Sequence, residues 1–202
     1  MSNLPAGDRP AVGLRERKKA RTKASIQRHA LRLFREQGYD ATTVEQIAEA
    51  AEVSPSTFFR YFPTKEDVVI SDDYDPLMVA AFNAQPPELS PIQAMRGAMR
   101  SAFGNIPAEE LDEVRERSEL MLQVPELRAA TLANLTQTMR LLTGLVAERV
   151  GREPDDFAVR NLSGALLGVW IAVLFEWAAR PDVDLATALD EAMAHLEAGL
   201  PL

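Results

Sequence analysis

Apolar residues recur along most of the chain at steps of three and four positions, which is the period of amphipathic α-helices. The strict alternation of apolar and polar residues that indicates β-strands is nearly absent. The pattern therefore predicts an all-α protein of about nine helices. Residues 1–14 come before the first helix, lack the apolar run of a signal peptide and are expected to be a disordered leader.

Two short helices are predicted after a long first helix. Thr43 and Gln46 have the spacing of a capping box, and Ser54 followed by Pro55 marks a second helix start. This second helix must end before Pro63, because the residue before a proline avoids the helical conformation. Two short helices joined by a turn of about three residues are typical of a helix-turn-helix motif. Neither would be stable alone, so they need a shared core.

Four of the 13 aromatic residues lie within positions 58–62. Phe58 and Phe62 are four positions apart and share one face of the predicted helix, so they are expected to form that core. Phe59 and Tyr61 are less easily explained by core packing.

The later helices are longer, and the one predicted from Asp155 to Arg180 is apolar on nearly all sides in its middle. Its uncharged run of 14 residues, 162–175, is shorter than the roughly 20 that span a bilayer, so a buried helix and no membrane partner are expected. An all-round apolar helix needs cover on every side. A homodimer interface is one solution, and burial within a single subunit is the other. The predicted interface residues are Gly164, Gly168, Ala172, Leu189, Met193 and Leu196.

Charge is unevenly distributed along the chain, whose net charge is −8. Residues 1–65 carry 12 Lys and Arg against 7 Asp and Glu, whereas residues 66–202 carry 10 against 23. A basic N-terminal third on an acidic chain indicates a polyanion-binding segment. The predicted organisation is a DNA-binding domain over residues 15–65 and a second helical domain over residues 66–202.

The run T-T-V-x-x-I-A-x-x-A-x-V-S-x-x-T-x-F-R-Y-F-P-T-K-E, residues 42–66, resembles the N-terminal signature of the TetR-type bacterial transcriptional regulators. The resemblance implies a cytoplasmic homodimer that binds a palindromic operator in double-stranded DNA through its helix-turn-helix. It also implies release by a small effector bound in residues 66–202, most simply as a repressor. The run FFRYFPTKEDVVISDDYDP and a later PELRA look like the subgroup with an acyl-CoA-like ligand-binding domain, which would make the effector a long-chain acyl-CoA or another apolar ligand.

Three positions depart from the family pattern. Glu52 stands in the turn where the family usually has glycine, and a left-handed conformation costs glutamate more than glycine. Ser56 and Phe59 stand where glycine and tyrosine are usual, and Phe59 lacks the hydroxyl through which the family's tyrosine contacts phosphate.

Base edges give sequence specificity and phosphates give affinity. The residues predicted to read bases are Ser56, Thr57, Phe59 and Arg60. Arg60 suits a bidentate contact with guanine, or else a phosphate or salt-bridge role. The predicted phosphate contacts are Arg17, Lys18, Thr42, Thr43, Tyr61 and Lys65. The basic segment around Arg17 could instead be a solubilising tail.

The effector pocket is predicted from large apolar or adaptable residues and one hydroxyl on the later helices: Met99, Phe103, Met121, Thr138, Met139, Trp170, Leu174 and Trp177. Ordinary core packing is the alternative for each of them.

No cofactor, no metal site and no enzymatic activity are expected. The chain has two histidines and no cysteine, and it contains no nucleophile elbow and no phosphate-binding glycine loop. The alternative function is an effector-independent DNA-binding or interaction scaffold.

Overall fold

The computed structural model describes residues 13–71, 74–104 and 106–202, and every regular element in these ranges is an α-helix. The predicted all-α class is confirmed, and the described ranges contain ten helices where about nine were expected. Most of the predicted leader lies outside the described residues. The helices are α1 Leu14–Gln37, α2 Val44–Ala50, α3 Pro55–Tyr61, α4 Asp67–Ile70, α5 Tyr74–Asn83, α6 Pro91–Phe103, α7 Ala108–Gln123, α8 Pro125–Val150, α9 Phe157–Ala179 and α10 Leu185–Glu197.

The chain divides into two compact units, Met1–Val68 and Val69–Leu202. The sequence-based prediction placed the division between residues 65 and 66. In the first unit, α2 packs against both α1 and α3. Ile26 of α1, Ile47 of α2, Phe58 of α3 and Phe62 are completely buried. The two phenylalanines therefore form the shared core that the short helices need, as predicted.

The turn between α2 and α3 is closed by a Schellman motif at the end of α2. The Val53 N–H donates to the Ala48 carbonyl at 2.9 Å, and the Glu52 N–H donates to the Glu49 carbonyl at 3.0 Å. This pattern requires a left-handed residue after the helix, and Glu52 has φ 56°. A residue with a Cβ pays a conformational cost there that glycine avoids.

Replacement of Glu52 by glycine is expected to stabilise the first unit by about 0.5–1 kcal/mol, because it relieves the left-handed strain. Thermal unfolding followed by circular dichroism measures the change. Glu49→Gly is the matched control: it places glycine inside α2 and should destabilise by about 1 kcal/mol. Equal losses from both substitutions would show that position 52 carries no strain.

The second unit is a helical bundle in which α9 packs against α7, α8 and α10, while α6 packs against α5 and α10. Among its fully buried side chains are Met95, Leu166, Trp177, Leu189 and Met193. Of the helices in the described ranges, α9 alone has the length and hydropathy of a bilayer-crossing helix. A core helix meets the same criterion, and α9 has helices packed on it.

An ion-pair cluster joins α6 to α10. Arg96 lies 3.0 Å from Asp190 and 2.8 Å from Glu197, and Gln93 also donates to Glu197 at 2.8 Å. Hydrogen bonds from Arg96 lower the pKa of Asp190, and those from Arg96 and Gln93 lower the pKa of Glu197. Both carboxylates therefore favour the folded state while ionised.

Arg96→Ala is expected to destabilise the second unit most at neutral pH. Because the folded-state pKa values are depressed, the stabilisation is present above the ordinary carboxyl pKa of about 4 and is lost as the pH falls below it. Urea unfolding at pH 7 and pH 3 measures the free energy of unfolding of both proteins. The difference between wild type and variant should be smaller at pH 3. Arg128→Ala, an exposed change on α8, is the control and should show no such trend. A gap independent of pH would rule out the ionic contribution.

Candidate nucleic-acid interface

The outer face of α3 carries the four residues predicted to read bases. Ser56, Phe59 and Arg60 are exposed, and Thr57 is half-buried. Phe59 keeps 49% of its surface accessible although its neighbour Phe58 is completely buried. An exposed phenyl ring amid polar side chains offers an apolar contact, of the kind that the thymine methyl group accepts. The structure thus places all four on one short helix, and their contacts with DNA stay a prediction.

The start of α3 is held by a cluster of hydroxyls. The Thr57 N–H donates to Ser54 Oγ at 3.1 Å, which caps the helix. The hydroxyls of Ser56 and Thr57 lie 2.8 Å and 2.9 Å from the same oxygen. These contacts orient both side chains before any ligand is present, which reduces the ordering that binding requires.

The other end of α3 is organised by aromatic contacts. The rings of Phe58 and Phe59 meet edge to face, with centroids 5.5 Å apart. The Arg60 guanidinium carbon lies 5.4 Å from the centroid of the Tyr61 ring. The buried Phe58 ring therefore supports Phe59, and the Tyr61 ring supports Arg60.

The start of α2 has the predicted capping box. Thr43 Oγ1 accepts from the Gln46 N–H at 3.2 Å, and Gln46 Oε1 accepts from the Thr43 N–H at 2.9 Å. Thr43 is exposed, and its hydroxyl proton remains available, so its phosphate contact stays a prediction.

The phosphate contact predicted for Thr42 is wrong. Thr42 is only 1% exposed. Its hydroxyl donates to the Gly38 carbonyl at 2.8 Å and accepts from Gln37 at 3.1 Å, while its N–H donates to the Tyr39 carbonyl at 3.2 Å. These bonds close the connection from α1 to α2, a structural role that the sequence did not reveal.

Lys65 has a structural role that sequence reasoning also missed. Its ammonium donates to the carbonyls of Tyr39 and Thr42 at 2.9 Å and 3.2 Å, and it lies 3.9 Å from the centre of the Tyr39 ring. The Tyr39 hydroxyl in turn donates to Glu66 at 3.2 Å. Partial burial alone would raise the pKa of Glu66, but hydrogen bonds from its backbone, Thr64 and Tyr39, with the charge of Lys65, lower it overall. The position of Lys65 is therefore explained without a phosphate, and its predicted phosphate contact remains untested.

The first turns of α1 carry an exposed basic surface that includes Arg17 and Lys18. Cations at a helix N-terminus oppose the helix dipole, at a cost of about 0.3–1 kcal/mol each. A nearby polyanion would attract these cations and make their position at the helix start favourable. The full set of exposed basic residues on these turns is Arg15, Arg17, Lys18, Lys19 and Arg21.

The predicted effector-pocket residues mostly pack as core. Met99, Phe103 and Trp177 belong to the main buried cluster of the second unit, and Trp170 and Leu174 pack against it. The rings of Phe103 and Trp170 lie 5.2 Å apart. The remaining three, Met121, Thr138 and Met139, are half-buried.

A surface groove of about 630 Å³ lies between α5 and α8. It is lined by Pro76, Val79, Ala80, Gln137, Arg140 and Leu141. None of the eight predicted pocket residues lines this groove. No sequence signal identified it, because it depends on how two distant segments pack.

The residues predicted to form the dimer interface differ in their exposure to solvent. Gly168 and Ala172 are exposed on α9, and a Cβ atom added to Gly168 would meet nothing within 4 Å. Phe175 continues this face and is 37% exposed. Gly164 and Leu196 are half-buried.

For Leu189 and Met193 the interface prediction is wrong. Both side chains are 0% exposed within one chain, so they have no surface to offer a second subunit. The residues of α10 that face inward pack within their own bundle.

Comparison with known proteins gives consistent matches. Residues 26–71 match the family described as bacterial regulatory proteins, tetR family, and residues 89–201 match the MftR C-terminal domain. The HTH-type transcriptional regulator TcmR of Streptomyces glaucescens is 39% identical, over 86% of this chain and 80% of that protein. The putative mycofactocin biosynthesis transcriptional regulator MftR of Mycobacterium tuberculosis is 28% identical, over 91% and 93%. The crystal structure of Thermus thermophilus FadR, a TetR-family repressor in complex with lauroyl-CoA, is 27% identical with a TM-score of 0.53, over 89% and 95%.

Proposed function

The chain belongs to the TetR family of bacterial transcriptional regulators, and we propose that as a homodimer it represses transcription from a palindromic operator until a small effector releases it. It is a DNA-binding regulator with an N-terminal helix-turn-helix, and its relatives are transcriptional regulators rather than enzymes. Because those relatives are bacterial regulators that act on DNA, the cytoplasm is the compartment we propose.

The arrangement of α3 carries this proposal. Phe58 is completely buried, whereas Ser56, Phe59 and Arg60 are exposed and Thr57 is half-buried on a helix with a well-capped start. Because the proposed readers share one seven-residue helix, they can enter a major groove together. Two such helices related by dimer symmetry would read two half-sites.

The dimer contact is proposed along the exposed small-residue face of α9. Gly168 and Ala172 leave room for a partner helix to approach closely, and Phe175 supplies apolar area beside them. Leu196 is the α10 residue from the predicted interface that retains exposed surface.

The effector is proposed to be an apolar ligand bound in Val69–Leu202. T. thermophilus FadR, which shares the fold and 27% of its residues, is a repressor in complex with lauroyl-CoA. A long-chain acyl-CoA is therefore the first class to test.

A gel shift tests the function directly. The probe is DNA from immediately upstream of this protein's own gene, with a scrambled copy of its palindrome as control and lauroyl-CoA as the first compound. Retardation of the native probe alone, reversed by the compound, is the expected result. Equal retardation of both probes, unaffected by any acyl-CoA, would favour the effector-independent scaffold instead.

A further inference from the structure

The α5–α8 groove has the size of a small-molecule site. Its volume of about 630 Å³ falls within the roughly 300–1,000 Å³ typical of ligand pockets. Pro76, Val79 and Ala80 recur on α5 at the spacing that places residues on one helix face. The residues of that wall that the structure describes are all apolar, so they suit a hydrocarbon chain.

The opposite wall adds polar groups at the same spacing. Gln137, Arg140 and Leu141 recur on α8 with one apolar residue, one amide and one guanidinium. Arg140 is exposed, and the structure gives it no hydrogen bond or ion pair with any residue it describes. Some other arginines of this unit are held: Arg115 donates to the carbonyls of Trp177 and Arg180, and Arg149 donates to those of Pro86 and Leu89. Arg128 and Arg160 are exposed like Arg140, but neither lines the groove.

We propose that the effector is an amphipathic anion whose apolar chain lies in the α5–α8 groove and whose carboxylate or phosphate pairs with Arg140. This inference rests on the proposed function and specifies its ligand and site. A guanidinium remains charged at all physiological pH values and pairs bidentately with carboxylate or phosphate. Because Arg140 is exposed, a neutral apolar ligand can leave its charge in water and gains nothing from it, whereas an anion gains the pairing, so the groove favours anions.

Isothermal titration calorimetry with three probes of equal chain length tests the pairing. Lauroyl-CoA supplies phosphates, laurate supplies a carboxylate, and dodecanol has no charge. Arg140→Ala is expected to weaken at least one anion by about tenfold or more while leaving dodecanol unchanged. If Arg140→Ala loses affinity for lauroyl-CoA alone, the pairing is with phosphate. If it loses affinity for laurate alone, the pairing is with carboxylate. Arg140→Lys should recover part of the affinity, and Arg128→Ala, an exposed arginine on the same helix, should change nothing.

A second variant tests the groove itself. Ala80 is exposed, so Ala80→Phe can be accommodated without disturbing the core, and its ring should fill the groove and weaken all three probes. Unchanged binding by Ala80→Phe, equal effects of Arg140→Ala and Arg128→Ala, or equal loss for dodecanol and the anions would each overturn the proposal. So would a wild-type protein that binds neither anion. Operator binding by ligand-free Arg140→Ala should match wild type, so a protein that still binds its operator but fails these tests refutes this inference and not the proposed function.

Discussion

Phe58→Ala is expected to unfold the DNA-binding unit while leaving the second unit folded. Phe58 is completely buried and contacts the rings of both Phe59 and Phe62, with centroids 5.5 Å and 5.8 Å away. Truncating a buried phenylalanine to alanine costs about 3–5 kcal/mol. A core as small as that of the first unit supplies about the same amount in total, so little stability remains.

Two spectroscopic signals separate the units. Both tryptophans, Trp170 and Trp177, lie in α9, so their fluorescence reports only the second unit. Phe58→Ala should lose far-ultraviolet helicity at 25 °C while its tryptophan emission and its emission-detected unfolding midpoint stay at wild-type values.

The neighbouring Phe59→Ala is the matched control. It removes the same ring from a position that is 49% exposed, and its stability should change by no more than about 0.5 kcal/mol. Wild-type helicity in Phe58→Ala, or equal losses in both variants, would contradict the assignment of Phe58 as the main core residue of this unit.

Arg60→Ala is expected to reduce discrimination between operator and scrambled DNA by about 1–3 kcal/mol, or roughly five- to 150-fold. Arg60 is exposed in the last turn of α3 beside the Tyr61 ring, and a bidentate pair with guanine is the commonest specific base contact of an arginine. Fluorescence anisotropy with both probes at several salt concentrations measures the change.

Lys18→Ala is the comparison that identifies the kind of contact. Loss of a phosphate contact weakens binding to all sequences and reduces the salt slope by about 1, whereas loss of a base contact lowers the ratio of specific to non-specific affinity. If Arg60→Ala weakens binding to both probes equally and lowers the salt slope, Arg60 contacts phosphate. That role was the alternative to base reading in the sequence analysis of Arg60.

Features of the fold that depend on local chemistry were predictable from the sequence. The capping box at Thr43 and Gln46 and the cap at Ser54 follow from side chains that bond to the backbone three residues away. The burial of Phe58 and Phe62 follows from their four-residue spacing. These interactions stay within one or two helical turns, so residue type and spacing were enough.

Features that depend on distant contacts were missed. Lys65 binds carbonyls at positions 39 and 42, and nothing near Lys65 in the sequence identifies those partners. Leu189 and Met193 have the spacing of an apolar face, but spacing does not distinguish burial within a chain from burial between chains. The groove at Arg140 requires α5 and α8, which are separated by two further helices.

The uneven charge described for the chain bears on how quickly this regulator can find its site. Surplus positive charge is confined to residues 1–65, whereas residues 66–202 carry 23 acidic against 10 basic residues. Attraction to arbitrary genomic DNA grows with the number of phosphates neutralised, and an acidic remainder adds none. Encounters with random sequence should therefore be brief, and the search should proceed by many short visits and rebindings, with little time sequestered on the chromosome.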